Sequence, residues 1–260
     1  FWCGKMSAPT LAAQRRTAAP IARAAALTVC WEVRALGTDL FAVTARVFYK
    51  KQGRAKYISH LDLVRCISRA LKRSKLPVWH TLGFHPHVYL TFALPLALGY
   101  ESECESMDFR LTETLPMEAV VDRLNAVLPE GICCYAAAPA VMKPDAIKWA
   151  DYTVTQEFDS VDPDEAWRAF AGWCARETVP VVKKGKKGER VVDVKPHFTL
   201  GEPHAEGDTL TFSIRAAAGS AFNLNPTLLL DTFAQEGGAR AGWVRVVRTA
   251  VLDGNLRPFE

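Results

Sequence analysis

The order of predicted secondary-structure elements recurs along the chain, and this repeat constrains the fold more than any other sequence feature. Apolar residues that alternate along the chain predict strands, and apolar residues at three- and four-residue spacing predict helices. The first series comprises a strand at 41–49, a helix at 59–74, strands at 88–94 and 106–111, a helix at 116–128 and a strand at 132–138. Its order is βαββαβ.

A second series begins after the Pro144 region. It comprises a strand at 152–158, a helix at 163–177, a hairpin of 179–183 with 190–194, a strand at 209–214, a helix at 225–235 and a strand at 243–252. Two such units predict an α+β fold of two ferredoxin-like (βαββαβ) halves, each an antiparallel sheet with two helices on one face. We expect these halves to occupy residues 41–143 and 150–260, with an extra strand in the second.

The net charge of +4 does not come from the two predicted halves. The first 35 residues carry five basic residues and one acidic residue, which accounts for the whole excess. Anion binding by the rest of the chain must therefore come from local clusters. We expect residues 1–40 to be a disordered or non-native extension, and the alternative is a transit peptide, because such peptides are rich in Arg and poor in acidic residues.

The seven cysteines show no regular spacing, and their odd number argues against a disulfide framework. There is no C-x-x-C pair to suggest a zinc site and no C-x-x-x-C-x-x-C motif to hold an iron-sulfur cluster. No run of residues approaches the roughly 20 apolar positions of a membrane span. The sequence therefore predicts a cytoplasmic protein without a membrane contact, a metal or a cofactor of its own.

The first predicted helix presents a row of arginines. Ser59 and Asp62 fit a helix N-cap, because a hydroxyl and an acidic residue both favour the positive end of a helix. Leu61, Val64, Ile67 and Leu71 are expected to form its buried stripe. Arg65, Arg69 and Arg73 recur at four-residue spacing along a neighbouring face. Their planar guanidinium groups suit phosphate or carboxylate, so the row predicts an anion site, such as one for an RNA backbone, or a solvated face with surface ion pairs.

Three residues of this region are candidates for acid-base catalysis: His60, His85 and Glu105. By strand parity Glu105 shares an apolar face with Met107, Phe109 and Leu111, so it needs a partner, which we expect to be Arg65, Arg69 or His60. His85 belongs to a proline-stiffened loop that either closes over a ligand or is a structural turn. A metal bound with Glu101 or Glu105 would need three or four converging ligands, and no metal site is predicted.

The second half offers a basic hairpin tip. Lys183, Lys184, Lys186 and Lys187 surround two glycines and could follow a phosphate backbone with salt-sensitive affinity. The alternative is an edge hairpin whose lysines keep the protein soluble.

Four segments resemble the uncharacterised radical SAM-associated family. They read K-x-G-x-x-x-Y-I-S-H-L-D-L-x-R from Lys51, R-A-L-x-R-S-x-L-P from Arg69, G-F-H-P-H from Gly83 and L-G-Y-E-S-x-x-E from Leu98. The positions that match the family motifs are Ser59, His60, Asp62, Arg65, Arg69, Gly83, Phe84, His85, Pro86, Glu101, Ser102 and Glu105. That domain is usually fused to, or encoded beside, a cobalamin-type radical SAM protein, so the resemblance implies such a partner.

Three functions are consistent with these observations. The favoured one is an accessory module that binds and positions RNA or another anionic substrate for a radical SAM enzyme, which would supply the radical chemistry. The second is a stand-alone enzyme that processes a nucleotide or RNA with His60, His85 and Glu105. The third is a structural interaction domain without a ligand.

Overall fold

The computed structural model describes residues 42–185 and 188–260. The predicted extension at residues 1–40 lies outside them. In the first unit the strands and helices are β1 (Val43–Lys51), α1 (His60–Arg73), β2 (Leu90–Phe92), β3 (Glu101–Leu111), α2 (Met117–Asn125) and β4 (Ile132–Pro139). In the second they are β5 (Ile147–Glu157), α3 (Pro163–Cys174), β6 (Pro180–Gly185), β7 (Gly188–Asp193), β8 (Phe198–Glu206), β9 (Thr209–Ala217), α4 (Pro226–Gln235) and β10 (Trp243–Asp253).

Both units have the same strand order. In the first unit β1 lies between β4 and β3, and β2 pairs with β3; in the second β5 lies between β10 and β9, and β8 pairs with β9. All pairs within a unit are antiparallel. The predicted α+β fold of two ferredoxin-like halves is therefore confirmed.

The two units share one eight-stranded sheet, because β3 and β10 pair in parallel. The helices of both units cover the same face. Val246 packs in the core under α3 and α4, and Met107 packs under α1 and α2. Arg248 and Glu105 each lie two residues from these positions and bond to each other, so they share the helix-covered face.

The sequence assigned the second strand of the second unit incorrectly. The predicted hairpin is a separate two-stranded sheet of β6 and β7, and the strand that joins the main sheet is β8, which was not predicted. β8 contains Gly201 and Pro203, which are turn signals in a sequence. It tolerates them because it is an edge strand whose register shifts between Leu200 and Pro203.

The buried stripe of α1 also differs from the prediction. Leu63, Ile67, Ala70 and Leu71 are buried, whereas Leu61 is 67% exposed. The helix begins at His60, and the residue of its first turn that packs inward is Leu63. None of the described helices is long and apolar enough to cross a membrane.

Candidate functional site

The start of α1 is capped by the predicted pair. The backbone N–H of Asp62 donates to the Ser59 hydroxyl at 3.2 Å, and that hydroxyl donates to the Asp62 carboxylate at 2.8 Å. Arg65 donates to the same carboxylate at 2.9 Å. The Ser59 hydrogen bond and then the Arg65 hydrogen bond lower the pKa of Asp62. Ser59 and Asp62 thus form a helix cap, and the Asp62 carboxylate also holds the guanidinium of Arg65.

The α1 arginine row comprises Arg65, Arg69 and Arg73, all exposed. Over eight residues of helix it extends about 12 Å. Arg73 donates to the Val127 carbonyl at 2.9 Å, which fixes the end of the row against the segment after α2. Arg69 has no hydrogen bond or ion pair to any residue of 42–185 or 188–260. The middle guanidinium is therefore available to an external anion.

His85 lies on a closed loop, the Thr81–His87 loop. The Thr81 N–H donates to the His87 carbonyl at 2.8 Å, and the His87 N–H donates to the Thr81 hydroxyl at 3.2 Å. Gly83 has a φ of +125°, which side-chain-bearing residues rarely adopt. Phe84 at the tip is 101% exposed and Leu82 is 79% exposed. The loop therefore displays apolar side chains beside the exposed imidazole of His85.

His60 is exposed at the first turn of α1. Its imidazole packs against the Phe92 ring in a T-shaped arrangement with the centroids 5.3 Å apart, and the Phe92 and Tyr49 ring centroids are 6.4 Å apart. This contact attaches the start of α1 to β2 and leaves the rest of the imidazole accessible.

Glu105 has a different partner from those expected. It is buried, and Arg248 of β10 donates to its carboxylate through Nε at 3.0 Å and also through Nη2. Arg248 Nη2 also donates to the Leu94 carbonyl at 2.8 Å. The expectation of Arg65, Arg69 or His60 as the partner is wrong. The parallel pairing of β3 with β10 brings in Arg248 from 143 positions away along the chain.

Sequence reasoning missed Arg248 because its position lies outside the region of dense motifs. A signal was present: an arginine within the apolar run of the last strand is expensive to bury unless it has a partner. Burial alone lowers the pKa of Arg248, but the attraction of Glu105 and other groups outweighs it and raises the pKa above its ordinary value.

Tyr49, Lys51, Glu105 and Arg248 form a group that we call the buried seam. The Lys51 ammonium donates to the Ile58 carbonyl at 2.9 Å, and burial lowers its pKa. The Tyr49 hydroxyl is buried and finds no hydrogen-bond partner in the described parts of the chain. Burial, followed by the charge of Glu105, raises the pKa of Tyr49. The seam lies where the two halves meet.

Glu101 is engaged in a similar way beside the seam. Its carboxylate accepts from Arg245 at 2.5 and 3.1 Å and lies 3.5 Å from the Lys56 ammonium. Two of the acidic motif residues are therefore buried and held by arginines of β10.

Among the described residues, no hydrogen bond, ion pair or ring contact joins the three candidate catalytic residues to one another. Glu105 is buried near the middle of β3, whereas the segment that carries the Thr81–His87 loop is anchored near the end of that strand, where the Trp79 N–H donates to the Arg110 carbonyl at 2.8 Å. The two attachment points are five residues apart, about 17 Å along a strand. The joint catalytic role of His60, His85 and Glu105 stays a prediction.

The lysine hairpin is only partly described. Lys183 donates to the Asn223 carbonyl at 2.8 Å, and its ammonium lies 3.9 Å from the centroid of the Phe222 ring. Burial, with a smaller contribution from Arg190, lowers its pKa. Lys183 is thus turned toward α4 and its preceding loop. Lys186, Lys187 and the side chain of Lys184 lie outside the described residues.

The structure shows no metal-binding cluster within residues 42–185 and 188–260. No three His, Cys, Asp or Glu side chains of these segments converge closely enough to hold an ion.

The fold and the surface define a protein of two ferredoxin-like halves joined in one sheet. The chain belongs to the DUF2344 family, described as an uncharacterized protein conserved in bacteria, whose profile matches residues 45–226. No curated protein matches the chain.

Two solved structures are similar. A chain of a Cbf5-Nop10-Gar1 complex is 12% identical with a TM-score of 0.39; the match covers 80% of this chain and 48% of that one, so this chain spans about half its length. An unknown protein from Galdieria sulphuraria is 16% identical with a TM-score of 0.23. The match covers 79% of this chain and 98% of that one. At these TM-scores neither structure defines a function for this chain.

Proposed function

We propose that this chain is a binding and positioning module that holds an anionic substrate, RNA in the first instance, for a radical SAM enzyme. The single observation that carries the RNA part is the α1 arginine row, where Arg69 is exposed and has no hydrogen bond or ion pair with residues 42–185 or 188–260. An unpaired guanidinium offers a planar fork of donors that matches phosphate oxygens. Arg65 and Arg73 extend the positive surface along the same helix.

The position of the row supports an external ligand over an internal ion pair. Asp62 is the acidic residue bonded to the row, and it already accepts from both Ser59 and Arg65. Exposed ion pairs of this kind contribute little to stability, because water screens them. An external anion that approaches Arg69 therefore meets little competition from Asp62.

The partner part rests on the motif resemblance, with a surface that suits a protein contact. Phe84 and Leu82 protrude from the Thr81–His87 loop, and exposed apolar side chains of this size are typical of protein interaction sites. In this proposal the partner supplies the iron-sulfur cluster and S-adenosylmethionine, and this chain needs no cofactor. The uneven cysteine spacing supports a cytoplasmic location.

Single-stranded RNA binding at several salt concentrations tests the RNA part. We expect the affinity to fall as the salt concentration rises. Arg69→Ala should reduce the slope of log binding constant against log salt concentration by about 0.7, the value for one lost phosphate contact. Arg168→Ala is the matched control, since it removes an exposed arginine from α3, whose Nε donates to its own helix at the Asp164 carbonyl. Salt-independent binding, or equal effects of the two variants, contradicts the proposal.

Co-expression with a radical SAM protein that carries a C-x-x-x-C-x-x-C motif tests the partner part. We expect a complex that Phe84→Ala weakens by about 30-fold or more, the effect of an interface hot spot. Val141→Ala is the control, because Val141 is also highly exposed but belongs to the segment after β4 and not to the loop. If no such protein forms a complex with this chain, the partner part is contradicted. The RNA part is not affected, because its test uses this chain alone.

A further inference from the structure

A pocket of about 470 Å³ lies on the face of the sheet opposite the helices. Phe48, Cys104, Tyr135, Thr249 and Phe259 line it, and we call it the fork pocket. Phe48 lies between Val47 and Tyr49, which face the helices, so its ring points to the other side. The volume is within the range of small-molecule sites in proteins.

The pocket exists because two strands diverge. β3 and β10 pair only at Glu101 with Val247 and at Ser102 with Arg248. Beyond these pairs Cys104 lies on one branch of the fork and Thr249 on the other. The C-terminal segment closes a third side, where the Phe259 N–H donates to the Val251 carbonyl at 2.9 Å. The opening is thus fixed by strand geometry.

Aromatic rings form the walls. The centroids of Phe48 and Tyr135 are 6.3 Å apart and the rings are tilted by 33°. Tyr135 is 49% exposed, and it lies at a register shift between β1 and β4, opposite Phe48 and Tyr49. The Arg46 guanidinium lies 4.2 Å from the Phe259 ring centroid. Such walls offer stacking surfaces to a planar ring.

Apart from Glu260, which is exposed, the residues that line the pocket carry no charge. Burial raises the pKa of the Cys104 thiol to about 11, so it is a neutral group, and it donates to the Arg248 carbonyl at 3.6 Å. Arg46 is neutralised by two hydrogen bonds to Asp108, at 2.8 and 2.7 Å. The charged residue of the lining is Glu260, so a neutral ring suits the pocket and a phosphate must lie away from this carboxylate.

The rim carries an available cation. Lys50 follows Phe48 by two residues, so the two side chains share a face about 7 Å apart along β1. Lys50 is exposed, and it has no ion pair with any described residue. The charges of Glu103 and Glu105 both act on Tyr135, and Glu105 is paired with Arg248. Glu260 is a further acidic residue, in the lining of the pocket. A phosphate joined to a ring in the pocket would be complementary to Lys50.

We propose that the fork pocket binds the base of a nucleotide, which stacks on Phe48 and Tyr135 while its phosphate lies toward Lys50. The ligand is either a free nucleotide or an unpaired nucleotide of single-stranded RNA, and the RNA source rests on the proposed function. By analogy, exposed aromatic residues on the sheet of a common RNA-binding module stack two or three bases. The fork pocket supplies recognition of a base, which the α1 arginine row cannot.

Calorimetric titration of the full chain with AMP, GMP, CMP and UMP tests this inference. We expect Tyr135→Ala to weaken binding about 5- to 150-fold, the range for loss of one stacked base, and Tyr135→Phe to retain it. Tyr57→Ala is the matched control, because Tyr57 is an exposed tyrosine outside the pocket. Lys50→Ala should weaken AMP and leave adenosine unchanged.

The outcomes separate this inference from the proposed function. The proposed nucleotide site is contradicted if none of the four monophosphates binds, or if Tyr57→Ala loses as much nucleotide affinity as Tyr135→Ala. Either result counts against the site even if RNA binding depends on Arg69. Nucleotide binding that requires Tyr135, with no RNA binding, supports the pocket as a free-nucleotide site and contradicts the proposed function. Loss of RNA affinity in Tyr135→Ala supports the RNA source. A dimer of the chain that Tyr135→Ala dissociates makes the pocket a self-association surface and overturns the proposal.

Discussion

Arg248 in the buried seam is 2% exposed and is held by Glu105 and the Leu94 carbonyl, whereas Arg69 in the α1 arginine row is exposed and has no partner among the described residues. Both are arginines in elements that the sequence predicts. Their surroundings give them opposite roles. A buried guanidinium has lost its hydration and must keep fixed partners, but an exposed one can exchange water for a ligand.

The comparison also separates stability from binding. The seam connects β3 to β10 and therefore the first half of the sheet to the second. The arginine row rests on a helix whose other face already packs in the core, so its cations are not needed to hold the fold. Substitutions in the two regions should therefore differ in both the size and the kind of their effects.

The largest effect is expected in the seam. Arg248→Ala should lower the free energy of unfolding by about 3–5 kcal/mol, because it leaves the Glu105 carboxylate buried without its partner. Urea denaturation measures this loss. Arg248→Met combined with Glu105→Leu should recover most of the stability, since an apolar pair of similar volume removes both charges. A single-variant loss below about 1 kcal/mol would show that the pair is not coupled to folding.

A second substitution in the seam should act in the opposite direction. Tyr49→Phe removes a buried hydroxyl that has no partner in the described segments, so the free energy of unfolding should rise by about 1 kcal/mol. The urea midpoint should increase while the denaturant slope stays constant. A decrease in the midpoint would mean that the hydroxyl has a stabilising role.

The helix cap should show an intermediate effect. Ser59→Ala removes the acceptor for the Asp62 N–H and should cost about 1 kcal/mol. Ser160→Ala, at an exposed serine outside the helices, serves as the control in the same thermal unfolding experiment. Equal effects of the two variants would argue that the cap contributes no stability.

The smallest effect on stability is expected in the arginine row. Arg69→Ala should change the free energy of unfolding by no more than about 0.5 kcal/mol, as is usual for exposed positions. The same protein sample should show the reduced salt dependence of RNA binding. A stability loss above about 1 kcal/mol would remove the contrast between the row and the seam.

Local features of the chain were readable from the sequence. The two βαββαβ units follow from alternation and helical spacing, and the cap at Ser59 and Asp62 follows from positions three residues apart. Failures occurred where local signals competed with tertiary context. Gly201 and Pro203 argued against β8, and the leucine at 61 could not be distinguished from Leu63 as the inward residue without knowing the rotation of α1.

The candidate site was predicted in part for the same reason. Arg65, Arg69 and Arg73 share a helix, so their common surface is a property of helical geometry alone. Whether β3 would meet β10 was decided by tertiary structure, because that contact joins positions more than 140 residues apart and depends on how two sheets pair at their edges. The pairing of β3 with β10 placed Arg248 beside Glu105. The divergence of the two strands beyond the paired residues opened the fork pocket.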